Sequence, residues 1–309
     1  MNTPSNVMAG SQSRSEAMAT VEISPMRRLY WSVQRELWEN RSIYLAPFAV
    51  AGIFLIGFFF ALIRLPDRMR AALALGPAQQ HEAIGQPYLI VALMLMVIEF
   101  LVAVYYCLEA LYGERRDRSI LFWKSLPVSD LTTVLSKASI PILVLPLVTF
   151  AVTVATQFVM LVMSSAVLAG SGMSAATLWT HVPFFQISRI NLVHIVGFHG
   201  LWYAPLYGWL LMVSAWAKRA PFLWATLPPL AIGFVEKVAF NTSHFGAMVL
   251  NHFIGSPDTG MPASRMTMEM LAPMPLGQFV LSPELWIGLV VTAAFLFVAV
   301  RLRRLRGLS

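Results

Sequence analysis

The feature that most constrains this chain is a stretch of 51 residues, 138–188, without a single Asp, Glu, Lys or Arg. A helix needs about 20 mainly apolar residues to cross the hydrocarbon core of a bilayer. Five further stretches approach or exceed that length with at most two charges each, at 42–63, 83–108, 190–217, 220–240 and 283–300. Only 12% of all residues are charged, against about 25% in soluble domains. This pattern excludes most soluble enzymes and predicts an all-α polytopic membrane protein.

The apolar stretches predict six transmembrane helices. The long uncharged stretch supplies one span, because the glycine- and serine-rich residues near 168–174 are typical of a helix end and a loop. The predicted spans lie at about 43–63, 87–112, 140–166, 191–216, 221–240 and 283–302.

The orientation of these spans follows from the distribution of Lys and Arg. With both termini in the cytoplasm, 16 of these residues lie inside and 6 outside, and the opposite orientation would violate the positive-inside rule. We therefore predict a multi-pass protein of the cell's inner (plasma) membrane. The same rule explains the net charge of +7, so we do not predict nucleic acid as a partner.

The segments outside the spans have distinct compositions. Residues 1–24 are polar and serine-rich, which predicts a disordered cytoplasmic tail, and residues 304–309 form a basic cytoplasmic tail after a transmembrane domain of residues 25–303. Residues 25–41 place apolar side chains at helical spacing between charges, which favours an amphipathic helix on the inner membrane face over an extension of the first span.

The segment between the second and third spans, residues 114–129, is the most informative about function. Apolar residues cluster at 120–123, Pro127 ends the run, and Ser129 can cap the helix that follows. A short amphipathic helix at the membrane surface is predicted. Its aromatic side chains, Phe122 and Trp123, suit either docking of a soluble partner or insertion into the lipid interface.

This segment resembles the loop after the second helix of ABC-2 type permeases, the membrane subunits of ATP-driven exporters. That loop reads approximately Glu-Arg-x-x-Gly-Ser/Thr-Leu/Ile and ends in Leu-Pro-Val-Ser. The chain matches it at Glu114, Arg115, Ser119, Ile120, Leu126, Pro127, Val128 and Ser129. It departs at Arg118, where the family often has Gly, and at residues 121–124.

The resemblance implies a coupling helix between spans two and three that rests on a separate cytoplasmic ABC ATPase. The residues implied in docking are Glu114, Arg115, Arg118, Ser119, Ile120, Phe122, Trp123, Lys124 and Pro127. Glu114 would pair with a Lys or Arg of the same subunit, and a second permease copy or a related permease would complete the pathway. The chain lacks a Gly-x-x-x-x-Gly-Lys-Ser/Thr motif, so ATP and Mg would be bound by the partner and this chain would hold no cofactor.

Other candidate sites are weaker. Glu99 lies in the middle of span two, where an ionisable group is a candidate for the substrate pathway or a packing residue. His194 and His199 are five residues apart and do not share a helix face, so neither a metal pair nor a catalytic site is predicted there.

The outer segment between spans five and six has methionines and histidines, whose thioethers and imidazoles can bind Cu(I). Packing is the commoner use of such a run. Residues 245–254 are apolar but too short to span, which predicts a re-entrant helix in the outer leaflet. An intramembrane enzyme or a structural membrane protein remains the alternative to a permease, and no motif specifies a transported substrate.

Overall fold

The computed structural model describes residues 24–117, 129–254 and 276–306. This part of the chain is helical and contains no β-strand, so the prediction of an all-α protein is confirmed for it. Five of its helical stretches are long and apolar enough to cross a membrane, and these are Ser42–Leu73, Gln79–Arg116, Asp130–Gly170, Pro221–Phe240 and Pro283–Leu305. The chain is therefore a membrane-embedded protein by the length and composition of its helices.

The first helix, α1, covers Pro25–Glu39 and is separate from the first span. Ser24 caps it by accepting the amide N–H of Arg27, and Asn40 ends it with non-helical backbone angles. Its outer side exposes four large apolar side chains, Met26, Tyr30, Trp31 and Trp38, while Glu36 on the opposite side is completely buried. Val33 and Leu37 are partly buried and pack against the hydrophobic core from this inward side.

The first two spans continue beyond their predicted ends. The first consists of α2 (Ser42–Ala61), a 3₁₀ turn (Leu62–Arg64) and α3 (Leu65–Leu73). The second consists of α4 (Pro77–Ala110) and α5 (Tyr112–Arg116). The apolar runs predicted only the part of each helix that suits the hydrocarbon core. The polar ends are also helical, because prolines occupy the first turns of α3 and α4 and ion pairs such as Asp67 with Arg70, 2.9 Å apart, stabilise them.

The third span contains a π-helical turn. It runs through α6 (Asp130–Ser139), the π turn Ile140–Val144 and α7 (Leu145–Gly170). Pro146 has no N–H to donate to the Ile142 carbonyl, and the Leu145 N–H instead reaches Ile140, five residues back. The proline therefore accounts for the wider turn.

The region after α7 is also helical. It contains α8 (Ala175–His181), α9 (Phe184–Leu192), a π-helical segment (Val193–Trp202) and α10 (Ala204–Trp216). The predicted fourth span, 191–216, is thus divided at Tyr203, and it is not among the five described stretches that are both long and apolar enough to cross a membrane. Pro205 cannot donate an N–H to Leu201, so the helix is interrupted just before it.

The remaining helices are α11 (Pro221–Phe240), α12 (His244–Ile254), α13 (Leu276–Leu281) and α14 (Pro283–Arg306). Residues predicted to form a short outer helix lie in α12, whose first N–H groups are accepted by the Glu236 carboxylate at 2.6 and 2.9 Å. Helix α10 packs along α14, where Gly208 lies against Thr292 and Gly288 against Pro205.

Candidate functional site

A buried chain of ion pairs lies where α1, α5, α6 and α14 meet. The Lys137 Nζ lies 2.9 and 3.0 Å from the two carboxylate oxygens of Glu36, and 3.2 Å from Oε1 of Glu114. Arg303 pairs with the other oxygen of Glu114 and, through Nε, with Asp130 at 3.0 Å. Each of the two cations therefore joins two carboxylates that belong to different helices.

Protein cations compensate the carboxylates of this cluster. Arg35 adds a third cation, which lies 2.8 Å from Glu36 and 3.5 Å from the half-exposed Glu39. Glu36, Lys137 and Arg303 are 0, 3 and 6% exposed, so their charges are compensated by protein groups rather than by water. Buried pairs of this kind contribute little net stability over apolar packing, but removal of one member is costly. The cluster therefore favours the packing in which the ends of α1, α5, α6 and α14 lie together.

The environment of Glu36 favours its charged form. Burial by itself would raise the pKa of this carboxyl, but the adjoining Lys137 ammonium and Arg35 guanidinium hold the pKa below its ordinary value. The Tyr106 hydroxyl also donates a hydrogen bond of 2.9 Å to the Glu36 carboxylate. Glu36 is therefore ionised at neutral pH.

A second contact ties the end of the second span to the end of α10. The Ser214 hydroxyl accepts the N–H groups of Leu111 and Tyr112 at 3.1 and 2.9 Å and donates to the Leu108 carbonyl at 2.8 Å. The Arg115 guanidinium donates to the carbonyls of Ser214 and Ala217. These bonds satisfy groups that helix ends leave without partners.

The structure places only part of the predicted docking set. Glu114 and Arg115 lie at the end of the second span, and the implied pairing of Glu114 with a cation of its own chain is confirmed by Lys137 and Arg303. Seven residues lie outside the described residues, namely Arg118, Ser119, Ile120, Phe122, Trp123, Lys124 and Pro127. Beyond them, Ser129 caps α6 by accepting the Thr132 N–H at 3.1 Å, as predicted.

Sequence reasoning missed the other members of the cluster. Glu36 and Arg303 lie far in sequence from Asp130 and Lys137, and each of the four borders an apolar run, which is where charges ordinarily meet water. The available signals were the acid beside Val33 and Leu37 on the inward side of α1 and the lysine four residues before Pro141. Neither residue identifies its partner without the tertiary structure.

A second group of buried polar atoms surrounds the interruption at Tyr203. Glu99 is 1% exposed, and within the described residues neither of its carboxylate oxygens has a hydrogen-bond partner. The same holds for the Tyr207 hydroxyl and for Nδ1 of His199. The ring of Phe100, the neighbour of Glu99, lies 5.7 Å from that of Tyr203, and the His199 ring lies 5.4 Å from Tyr203. Glu99 therefore faces protein at the level of a helix interruption.

The described residues contain no group of three or more metal-binding His, Cys, Asp or Glu side chains. Met248 is exposed on α12, and the other methionines considered for Cu(I), at 261–274, lie outside the described residues. Copper binding remains a sequence-based hypothesis.

Comparison with known proteins provides no relative: no family model, no curated protein and no solved structure matches this chain. The assignment of a function therefore depends on the residues and contacts described above.

Proposed function

We propose that this chain is the permease subunit of an ABC-type exporter in the inner (plasma) membrane. It would form the substrate pathway with a second copy or a related permease, and a separate cytoplasmic ABC ATPase would bind ATP and Mg. The observation that carries the proposal is that residues on either side of 118–128 belong to the buried ion-pair cluster. Glu114 precedes this segment, Asp130 follows it, and Arg303 binds both.

This arrangement suits the transmission of motion. A displacement of residues 118–128 would act on Glu114 and Asp130 together, because one guanidinium joins them. It would reach α14 through Arg303 and α1 through Lys137 and Glu36. Packed helices move as rigid bodies rather than deforming continuously, so a displacement of residues 118–128 would shift several helix ends at once.

The test of this role is the double substitution Phe122→Ala and Trp123→Ala. An aromatic anchor in a partner's pocket commonly contributes about 2 kcal/mol or more, so co-purification of the ATPase should weaken at least about tenfold. The measurement is the ATPase affinity of the purified permease, together with transport in vesicles. Insertion of the spans should be unchanged, since neither residue lies in a predicted span.

A matched control is the double substitution Tyr30→Ala and Trp31→Ala, which removes two adjacent exposed aromatics from α1. This control should keep the ATPase at wild-type affinity, because α1 is assigned to the lipid interface. If the Phe122 and Trp123 variant also keeps its ATPase and transports normally, the coupling assignment is wrong. A chain that purifies without any nucleotide-hydrolysing partner would favour the enzyme or structural alternative.

The proposed topology has six crossings with both termini inside. The fourth crossing would be built from α9, the π segment and α10, broken at Tyr203. Reporter fusions after Leu168 and after Pro257 should therefore report an external position, and a fusion after Ala217 an internal one. A cytoplasmic signal at position 257 would refute this scheme, since it would remove one of the last two crossings.

Glu99 is proposed to line the pathway. A charged group at mid-membrane costs about 2.5–3.5 kcal/mol on insertion scales, and Glu99 has no hydrogen-bond partner among the described residues. Glu99→Gln should alter transport several-fold while folding and ATPase binding stay at wild-type levels. The measurements are transport rate in vesicles and yield of the assembled complex. Loss of the protein itself, with normal transport per assembled complex, would show a packing role instead.

A further inference from the structure

A basic cleft lies at the start of the 118–128 segment, between α5 and the turn that joins α10 to α11. Its volume is about 220 Å³, and it is lined by Tyr112, Arg115, Arg116, Ala217 and Lys218. It is separate from the ion-pair cluster, none of whose members lines it. Arg115, one of the residues implied in ATPase docking, contributes to its wall.

The charges around the cleft favour an anion. The Arg115 guanidinium is held in position by the carbonyls of Ser214 and Ala217. Arg116 is half exposed and pairs with Glu109 and Asp117 at 2.9 and 3.0 Å. Lys218 is exposed and is followed by Arg219 in the same turn. Among the described side chains, three cations therefore line the cleft and two carboxylates pair with one of them, which leaves it positive.

The position of the cleft matches the depth of lipid headgroups. Trp216 and Trp224 flank the turn, are 40 and 45% exposed, and pack edge to face with ring centres 4.7 Å apart. Exposed tryptophans mark the boundary between water and hydrocarbon. From that boundary α11 presents an exposed apolar surface that includes Phe222, Leu223 and Leu227. A headgroup in the cleft would have its acyl chains beside this surface.

We propose that the cleft binds the phosphate of an anionic phospholipid, with the acyl chains against α11. Basic pockets between membrane helices are suited to such headgroups, and the juxtaposition of fixed guanidinium, tryptophan belt and apolar helix selects a lipid over a free anion. This inference is independent of the proposed transport function, because it requires only that the helices cross a bilayer.

The experiment uses the full chain purified in detergent and phosphatidylglycerol as the probe, with bound lipid counted by native mass spectrometry. A Lys or Arg near the membrane surface contributes about a fivefold gain in affinity for anionic lipid. The double variant Arg116→Gln and Lys218→Gln should therefore bind phosphatidylglycerol about twenty-fivefold more weakly. Both side chains are exposed, so the fold should survive, which thermal unfolding would verify.

The matched control removes two exposed cations from the other end of the spans, Arg68→Gln and Lys237→Gln, and should bind the lipid like the wild type. Phosphatidylcholine should bind the wild type much more weakly than phosphatidylglycerol. Equal binding of the two lipids, or wild-type lipid binding by the cleft variant, would overturn the proposal. Displacement of the lipid by an equal concentration of inorganic phosphate would overturn the choice of a lipid.

Discussion

Replacement of Lys137 by methionine should lower the free energy of unfolding by about 3–5 kcal/mol, which is the usual cost of removing one member of a buried ion pair. Lys137 lies within 3.2 Å of Glu36 and Glu114, so its loss leaves two buried carboxylates without the cation they share. Methionine keeps most of the side-chain volume, so the effect reports charge rather than packing. Reversible unfolding in detergent measures it.

A second substitution, at Glu36, separates the effect of lost charge from the effect of changed side-chain shape. Adding Glu36→Gln to the Lys137→Met variant removes one of the stranded charges, so the double variant should be less destabilised than the sum of the single changes. Arg304→Met, which removes an exposed cation in the same turn of α14 as Arg303, should have an effect near zero. A Lys137→Met protein as stable as the wild type would disprove the buried cluster.

The same cluster predicts a pH dependence with a definite sign. Because the folded-state pKa of Glu36 is depressed, its contribution to stability is fully present above its ordinary value of 4.5. That contribution is lost as the pH falls below 4.5 through the lower folded-state value. The Glu36→Gln variant should lose less stability than the wild type over this acidic range.

The second large effect is expected at Gly200, where the π segment crosses the π turn of the third span. A methyl group added at Gly200 would collide with the carbonyl oxygen of Ile142, a backbone atom that cannot turn aside. Gly200→Val should therefore cost toward the upper end of about 1–3 kcal/mol, the range for overpacking. Thermal unfolding and the yield of folded protein in detergent measure the loss.

Glycines in open space provide the control for this prediction. Gly52 and Gly57 in α2 have no neighbouring atom within 4 Å of an added Cβ. Gly52→Ala and Gly57→Ala should leave stability unchanged or raise it by up to about 1 kcal/mol, because alanine favours helix. If Gly200→Val behaves like these variants, the two π-helical elements do not cross closely.

Much of the architecture could be predicted from local sequence. Apolar runs longer than the bilayer core identified the spans represented by the five long helices, because the hydrocarbon demands continuous apolar surface and internally satisfied backbone groups. The cap at Ser129 and the separation of α1 from the first span followed from neighbouring residues alone. Pro146 and Pro205 also carried a local signal for the π turn and for the interruption at Tyr203, since proline cannot donate an N–H.

Tertiary structure alone decided which charges meet. Glu36, Glu114, Asp130, Lys137 and Arg303 each lie at a helix end, where composition predicts contact with water. Their burial depends on α1 folding back against α6 and on α14 reaching the end of the second span. The energy of an ion pair depends on the distance between the charges and on the local dielectric constant, and neither quantity can be predicted from the spacing of residues along a chain. The sequence by itself therefore determined the membrane helices, and the three-dimensional packing decided how their ends are joined.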